Sequence, residues 1–122
     1  MGRTNLANLT VAQLVDLFKT LGLAQDDADT GGNQKKFNRL YWEIKAVEEE
    51  LKKYPGDARK DLLSVYDHPN IHVRLLAAKA TLAVAPEEAR RALITIRDTR
   101  GPQALDAGMT IRAVDEGIYK PI

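Results

Sequence analysis

Apolar positions recur along the chain at steps of three and four residues, the spacing of one face of an α-helix. Nowhere do they alternate as a half-buried strand would. Gly and Pro interrupt the pattern at Gly22, Gly31-Gly32, Pro55-Gly56, Pro69, Pro86, Gly101-Pro102 and Gly117, leaving six segments of helical length. Thr10 and Gln13 read as a capping box, with Leu9 and Leu14 as its hydrophobic staple. Val11, Leu14, Val15, Phe18 and Leu21 then share a face and Gly22 is the natural stop, so the first helix is predicted over about residues 11–21. Gln25 to Asn33 reads as a polar loop. The second helix is predicted over about 34–54, with the stripe Phe37, Leu40, Tyr41, Ile44, Val47, Leu51 and Tyr54 and a Lys, Glu and Arg face opposite.

Four further helices follow. Asp57 is the expected N-cap of the third, which turns Leu62, Leu63 and Tyr66 inward and ends at Asp67-His68-Pro69. Asn70 caps the fourth, with Val73, Leu76, Ala77, Ala80 and Val84 on one face. Pro86 opens the fifth, with Glu87 and Glu88 at its positive end and Gly101 closing it. Pro102 opens the sixth, about 102–116, which carries Leu105, Met109, Ile111 and Val114. The tail Ile118, Tyr119 and Ile122 is apolar for a terminus. It is expected to lie back on the last helices, or, left uncovered, to support a homodimer.

Composition narrows the classes. A chain of 122 residues fits one domain with its own core, and the absence of Cys excludes disulfides, thiolate metal sites and cysteine nucleophiles. Eighteen Lys+Arg against seventeen Asp+Glu argue against a domain built to coat nucleic acid, though not against a local basic patch. No apolar run approaches the roughly 18 residues of a membrane span. The start Met1-Gly2-Arg3-Thr4-Asn5-Leu6 lacks a secretory h-region and places Leu6 where myristoylation needs Ser or Thr, so a cytoplasmic protein is expected.

Sliding the chain by 31 residues lays Ala58-Arg59-Lys60-Asp61-Leu62-Leu63 over Ala89-Arg90-Arg91-Ala92-Leu93-Ile94. An offset of 30 lays Ala77-Ala78 over Ala107-Gly108. A helix pair thus recurs with a period near 30, the mark of a solenoid. The segment Asp67-His68-Pro69-Asn70-Ile71-His72-Val73-Arg74-Leu75-Leu76-Ala77-Ala78-Lys79-Ala80 resembles the second-helix signature of HEAT-type repeats. With Phe37-Asn38-Arg39-Leu40-Tyr41-Trp42 and Asp106-Ala107-Gly108-Met109-Thr110, the chain looks like a family of small bacterial HEAT-like domains of unknown function. The resemblance implies an all-α fold, a short α-α superhelix of three antiparallel hairpins, and no established activity. It also implies that Arg74 bonds back to Asp67 or its neighbours. The second repeat departs from the signature, with Gln103-Ala104 in place of Val-Arg, which counts against a continuous Asp–Arg ladder. The organisation expected is a single domain: a capping hairpin over 1–55, repeats over 56–85 and 86–117, and a tail over 118–122.

Candidate chemistry is sparse. His68 and His72 have the i,i+4 spacing of two metal ligands but straddle a turn and lack a third, so solvated histidines are expected. Asp26, Asp27 and Asp29 lack the spacing of a calcium loop, Gly31-Gly32 lacks a following Gly-Lys-Ser/Thr, and Ser64, the one serine, sits inside a helix. No metal, cofactor or catalytic residue is expected. Trp42 is expected to pack on the third helix or else to anchor a partner. Asp106 is expected to cap the N–H groups near Asn70 and Ile71, and Gly108 to mark a close backbone approach. Three functions are weighed. The first is a non-enzymatic protein-binding module, an adaptor or immunity-type partner, using a concave face with Asn38, Trp42, His72, Lys79 and Thr110. The second is nucleic-acid backbone binding through a basic ridge of Arg59, Lys60, Arg90 and Arg91. The third and weakest is an enzyme.

Overall fold

A computed structural model describes residues 5–122; Met1 to Thr4, on which the leader and myristoylation readings partly rest, lie outside the described residues. Every regular element among the described residues is helical. They are α1 (Val11–Thr30), α2 (Gln34–Lys52), a ten-residue 3-10 helix (Ala58–Asp67), α3 (Ile71–Ala80), α4 (Pro86–Arg97) and α5 (Pro102–Asp115), after a 3-10 turn at Leu6–Asn8. The all-α expectation with about six helices therefore holds. No helix of the described residues is long and apolar enough to cross a membrane. The chain divides after Asp61 into two compact units.

The first unit is built on α1 and α2. The Thr10 hydroxyl accepts from the Gln13 N–H at 3.1 Å while the Thr10 N–H donates to Gln13 Oε1 at 2.9 Å, the reciprocal capping box. Where the spacing predicts a stop at Gly22, the helix runs to Thr30, with Gly22, Gln25 and Ala28 extending the buried stripe of Leu14, Val15 and Phe18. Asp26, Asp27 and Asp29 therefore belong to the last turns of α1 and not to a loop. A glycine inside a helix costs about 1 kcal/mol against alanine. Burial of the stripe on both sides of it outweighs that. On α2 the stripe narrows to Leu40, Ile44, Val47 and Leu51; Tyr41, predicted on it, faces solvent. The Tyr54 hydroxyl donates to the Leu9 carbonyl and ties the end of this hairpin to its beginning.

The second unit packs α3 against α4 and α5, and α4 against α5. Its core is Leu75, Ala78, Leu82, Ala89, Leu93, Ile96, Ala107 and Ile111, with Tyr66, Ile71 and Val114 packed around it. α3 starts under Asn70, whose Oδ1 accepts from the Val73 N–H at 3.0 Å. It ends at Ala80, earlier than the apolar pattern suggests, with the buried Thr81 at its C-cap donating its hydroxyl back to the Ala77 carbonyl at 2.8 Å. Gly101, at φ 107, makes the turn into α5 that a side chain would strain. After Gly117 the chain turns back through Ile118 and Tyr119 N–H bonds to the Ala113 carbonyl, and Pro121 enters a recess beside Leu82, Leu93, Ile111 and Val114. Ile118 (76% exposed) and Ile122 (83%) stay in solvent.

Leu93 is fully buried at the centre of this unit. Leu93→Ala is expected to cost about 3 kcal/mol, read as a lowered midpoint in urea unfolding at unchanged slope.

Candidate functional site

The helical period of α2 sets Trp42 and Ala46 one turn apart, and that of α1 does the same for Leu17 and Leu21. These residues, with Leu6 and Val47, line a groove of about 650 Å³ on the first unit. Trp42 is 69% exposed, so it does not bury itself in packing as expected. Its ring meets Tyr41 edge to face, with centroids 5.0 Å apart and planes at 88°. Lys45 Nζ lies 5.5 Å from the Tyr41 centroid. At the rim, Arg39 Nε and Glu43 Oε2 lie 3.4 Å apart and neutralise each other. Asn38 Oδ1 accepts from Gln34 Nε2 at 2.9 Å on the same helix.

A charged corner closes this unit. Asp57 stands in the left-handed region, at φ 61, where Asp is better tolerated than most residues. Its carboxylate takes the Arg59 guanidinium as a fork, Nε to Oδ1 at 2.9 Å and Nη2 to Oδ2 at 2.7 Å, and also accepts the Arg59 N–H at 3.2 Å. Asp57 thus serves the start of the 3-10 helix through Arg59 as well as through the backbone. The Arg59 hydrogen bond holds the Asp57 carboxyl below the usual carboxylate range, and Arg59 is raised by the same bond. The Arg59 charge also reaches Glu48, whose carboxyl is nevertheless pushed up by burial, with Lys45 at 3.6 Å pulling it the other way.

The basic-ridge residues therefore have different fates. Arg59 is only 9% exposed and held by Asp57, and Arg90 is clasped by Asp115, with Nη2 to Oδ2 at 2.9 Å. Lys60 and Arg91 are exposed. Of the four, Arg59 alone is buried, and Arg90 stays exposed while its charge is shared with Asp115.

The remaining candidates lie in the second unit. Lys79 Nζ sits 3.0 Å from Asp106 Oδ1, and the Thr110 hydroxyl donates to the same oxygen at 3.1 Å. Asp106 thus joins two candidate residues instead of capping Asn70 or Ile71, whose helix start is served by Asn70 itself. A side chain at Gly108 would meet the Arg97 stem at 3.5 Å, ordinary contact, so the close approach predicted there is to a flexible side chain and not to backbone. Arg74 Nη1 donates to the carbonyls of His68 (2.8 Å) and Pro69 (3.1 Å), bonding back to the turn but not to Asp67. His68 Nδ1 accepts from the Asn70 N–H at 3.0 Å, and His72, expected in solvent, is instead buried in the first turn of α3. Among the described residues no three His, Asp or Glu gather as a metal site. Sequence reasoning missed the recess of about 340 Å³ that includes Tyr66, Arg74, Glu88 and Arg91. The i,i+3 spacing of Glu88 and Arg91 at the start of α4 was its only signal.

Residues 12–115 match DUF2019, a domain of unknown function. The crystal structure of the protein RPA1889 from Rhodopseudomonas palustris CGA009 is similar over 98% of this chain and 100% of that one, at 44% identity and a TM-score of 0.95. No curated protein matches.

The two shifted carboxylates at the corner give opposite pH signatures. Glu48 has its folded pKa raised, so the cost of burying its charge is absent at low pH and fully present above that pKa. Glu48→Gln is expected to raise the urea midpoint at pH 7, and the gain is expected to fade as pH falls toward about 4.3, the unfolded glutamate value. Asp57 has its folded pKa lowered, so its contribution is present above the unfolded pKa and is lost as pH falls through the folded one. Asp57→Asn is expected to cost about 2 kcal/mol at pH 7, a deficit that vanishes in acid.

Proposed function

We propose that this chain, which belongs to the DUF2019 family, is a protein-binding module. In this reading it takes an apolar helical segment of a partner protein into the Trp42 groove of its first unit. One observation carries this: the chain's single tryptophan stands in solvent over a groove floored by leucine, alanine and valine. Leaving a large ring exposed forgoes roughly 2 kcal/mol of burial. Tryptophan is also the residue most enriched among interface anchors.

The occupant follows from the lining. Leu17 with Leu21 and Trp42 with Ala46 offer ridges one helical turn long on either side, the geometry that receives the i,i+4 face of another helix. Arg39 and Glu43 cancel at the rim, so the groove selects for apolar surface and not for charge. The role asks for no catalytic group, and it fits an adaptor or an immunity-type partner of a bacterial protein.

The HEAT-like reading is supported by α3, where the Ala77-Ala78 pair is fully buried and Arg74 bonds back into its own turn. The nucleic-acid alternative draws little support, because Arg59 and Arg90 are already closed onto acids.

Display of a random helical-peptide library on the purified protein is the test. Peptides with apolar i,i+4 pairs should be enriched on the wild type, should shift Trp42 emission to the blue, and should lose at least tenfold in affinity on Trp42→Ala. Because Trp42 is exposed, the variant should keep its melting temperature. Equal enrichment on the wild type and Trp42→Ala would sink the reading.

A further inference from the structure

We propose that the second unit carries a binding site for a carboxylate on a short apolar body, in the recess formed by Tyr66, Arg74, Glu88, Arg91, Ala92 and Ile96. The recess has a volume of about 340 Å³, the small end of ligand pockets. Its charge is unbalanced. In this unit Arg90, Arg97 and Arg112 each close on an acid, Asp115, Asp98 and Glu116. Arg74 and Arg91 do not, and both line the recess. Arg74 is fixed by two backbone carbonyls, which orient its guanidinium without neutralising it. Glu88 is the one acid of the lining, so two cations against one anion leave a single positive charge, which one carboxylate balances.

The neutral groups complete the selection. The Thr81 hydroxyl spends its proton on the Ala77 carbonyl at 2.8 Å, so the Tyr66 hydroxyl, 2.6 Å away, donates to Thr81. Tyr66 therefore has no proton left for the ligand, and burial pushes the phenol up, so it stays neutral and leaves the charge of the recess to Arg74, Arg91 and Glu88. Ala92 and Ile96 give the ligand body an apolar wall. A free aliphatic acid and the C-terminus of a peptide ending in an aliphatic residue present the same chemistry.

The experiment is a titration of the full chain, followed by amide and side-chain NMR shifts, with isovalerate, N-acetyl-leucine and the uncharged N-acetyl-leucinamide. Both acids should give saturable shifts at Tyr66 and Ile96 with millimolar or tighter dissociation constants. The amide should not. Tighter binding of isovalerate assigns a free acid, and tighter binding of N-acetyl-leucine assigns a chain terminus. Arg91→Gln should weaken binding about tenfold and Glu88→Gln should strengthen it severalfold, opposite signs that a general loss of structure does not produce. Both residues are exposed, so both variants should melt as the wild type does. Trp42→Ala, in the other unit, should leave the titration unchanged, so this site stands or falls separately from the groove. No saturable shift from either acid, equal binding of the amide, or an unaltered constant in Arg91→Gln overturns the proposal.

Discussion

A helix of ten residues has no stability of its own in water, and α3 is that long. It persists because six of its residues, His72, Val73, Leu75, Ala77, Ala78 and Ala80, are buried. Ala78 of α3 shares one core cluster with Ala89 of α4 and Ala107 of α5, each at zero exposure. Small side chains at these crossings bring helix backbones close, which multiplies weak dispersion contacts but leaves no room for a larger residue. The rest of the second unit follows from that packing. The turn before α3 is held at a fixed place, and Arg74, bonded to two of its carbonyls, becomes a stationary cation at the surface.

The polar groups divide by whether their bonding is complete. Among the described residues no buried side-chain nitrogen or oxygen lacks a hydrogen-bond partner. At the corner of the first unit, Lys45, Glu48, Arg59 and Asp57 form a chain of alternating charge, and its perturbed acids are explained by burial and by the Arg59 fork without any call for chemistry. Lys79, Asp106 and Thr110 are likewise satisfied by one another. What is left over stands out against this background: an aromatic ring without cover on one unit, and on the other the guanidiniums of Arg74 and Arg91, which share a recess without closing on an acid.

Signals confined to a few neighbouring residues were legible in the sequence. The Thr10–Gln13 capping box, the Asn70 cap, the Pro86 start with its two glutamates, and most of the α2 stripe stand where spacing places them. The failures share a cause, a local signal overruled by partners distant in the chain. Gly22 reads as a stop, yet Gln25 and Ala28 after it continue the buried stripe of a helix that packs on α2, so the helix carries on. Asp106 reads as a misplaced acid until Lys79, twenty-seven positions earlier, supplies its counter-charge. Arg59 reads as a solvated ridge cation because nothing in its spacing reveals that Asp57 adopts a left-handed backbone and turns its carboxylate onto the guanidinium. The ten residues from Ala58 to Asp67 carry an apolar pattern that suits a 3-10 helix as readily as an α-helix, and pattern alone does not separate them.

Exposure alone does not separate Trp42 from Leu105 or Met109. All three are largely exposed. Leu105 and Met109 are flexible aliphatic side chains, and scattered exposure of that kind is ordinary. Trp42 differs in two ways that reinforce each other. Its ring meets Tyr41 edge to face, and Tyr41 is itself steadied by Lys45, so less conformational freedom is left to lose when something settles against it. It also borders a groove whose apolar lining is contributed by α1 as well as α2, so an occupant would bury surface on both helices at once. A partly immobilised ring beside a preformed apolar cleft lowers the entropic cost of association and raises the area gained, and those two quantities decide whether an exposed aromatic binds anything.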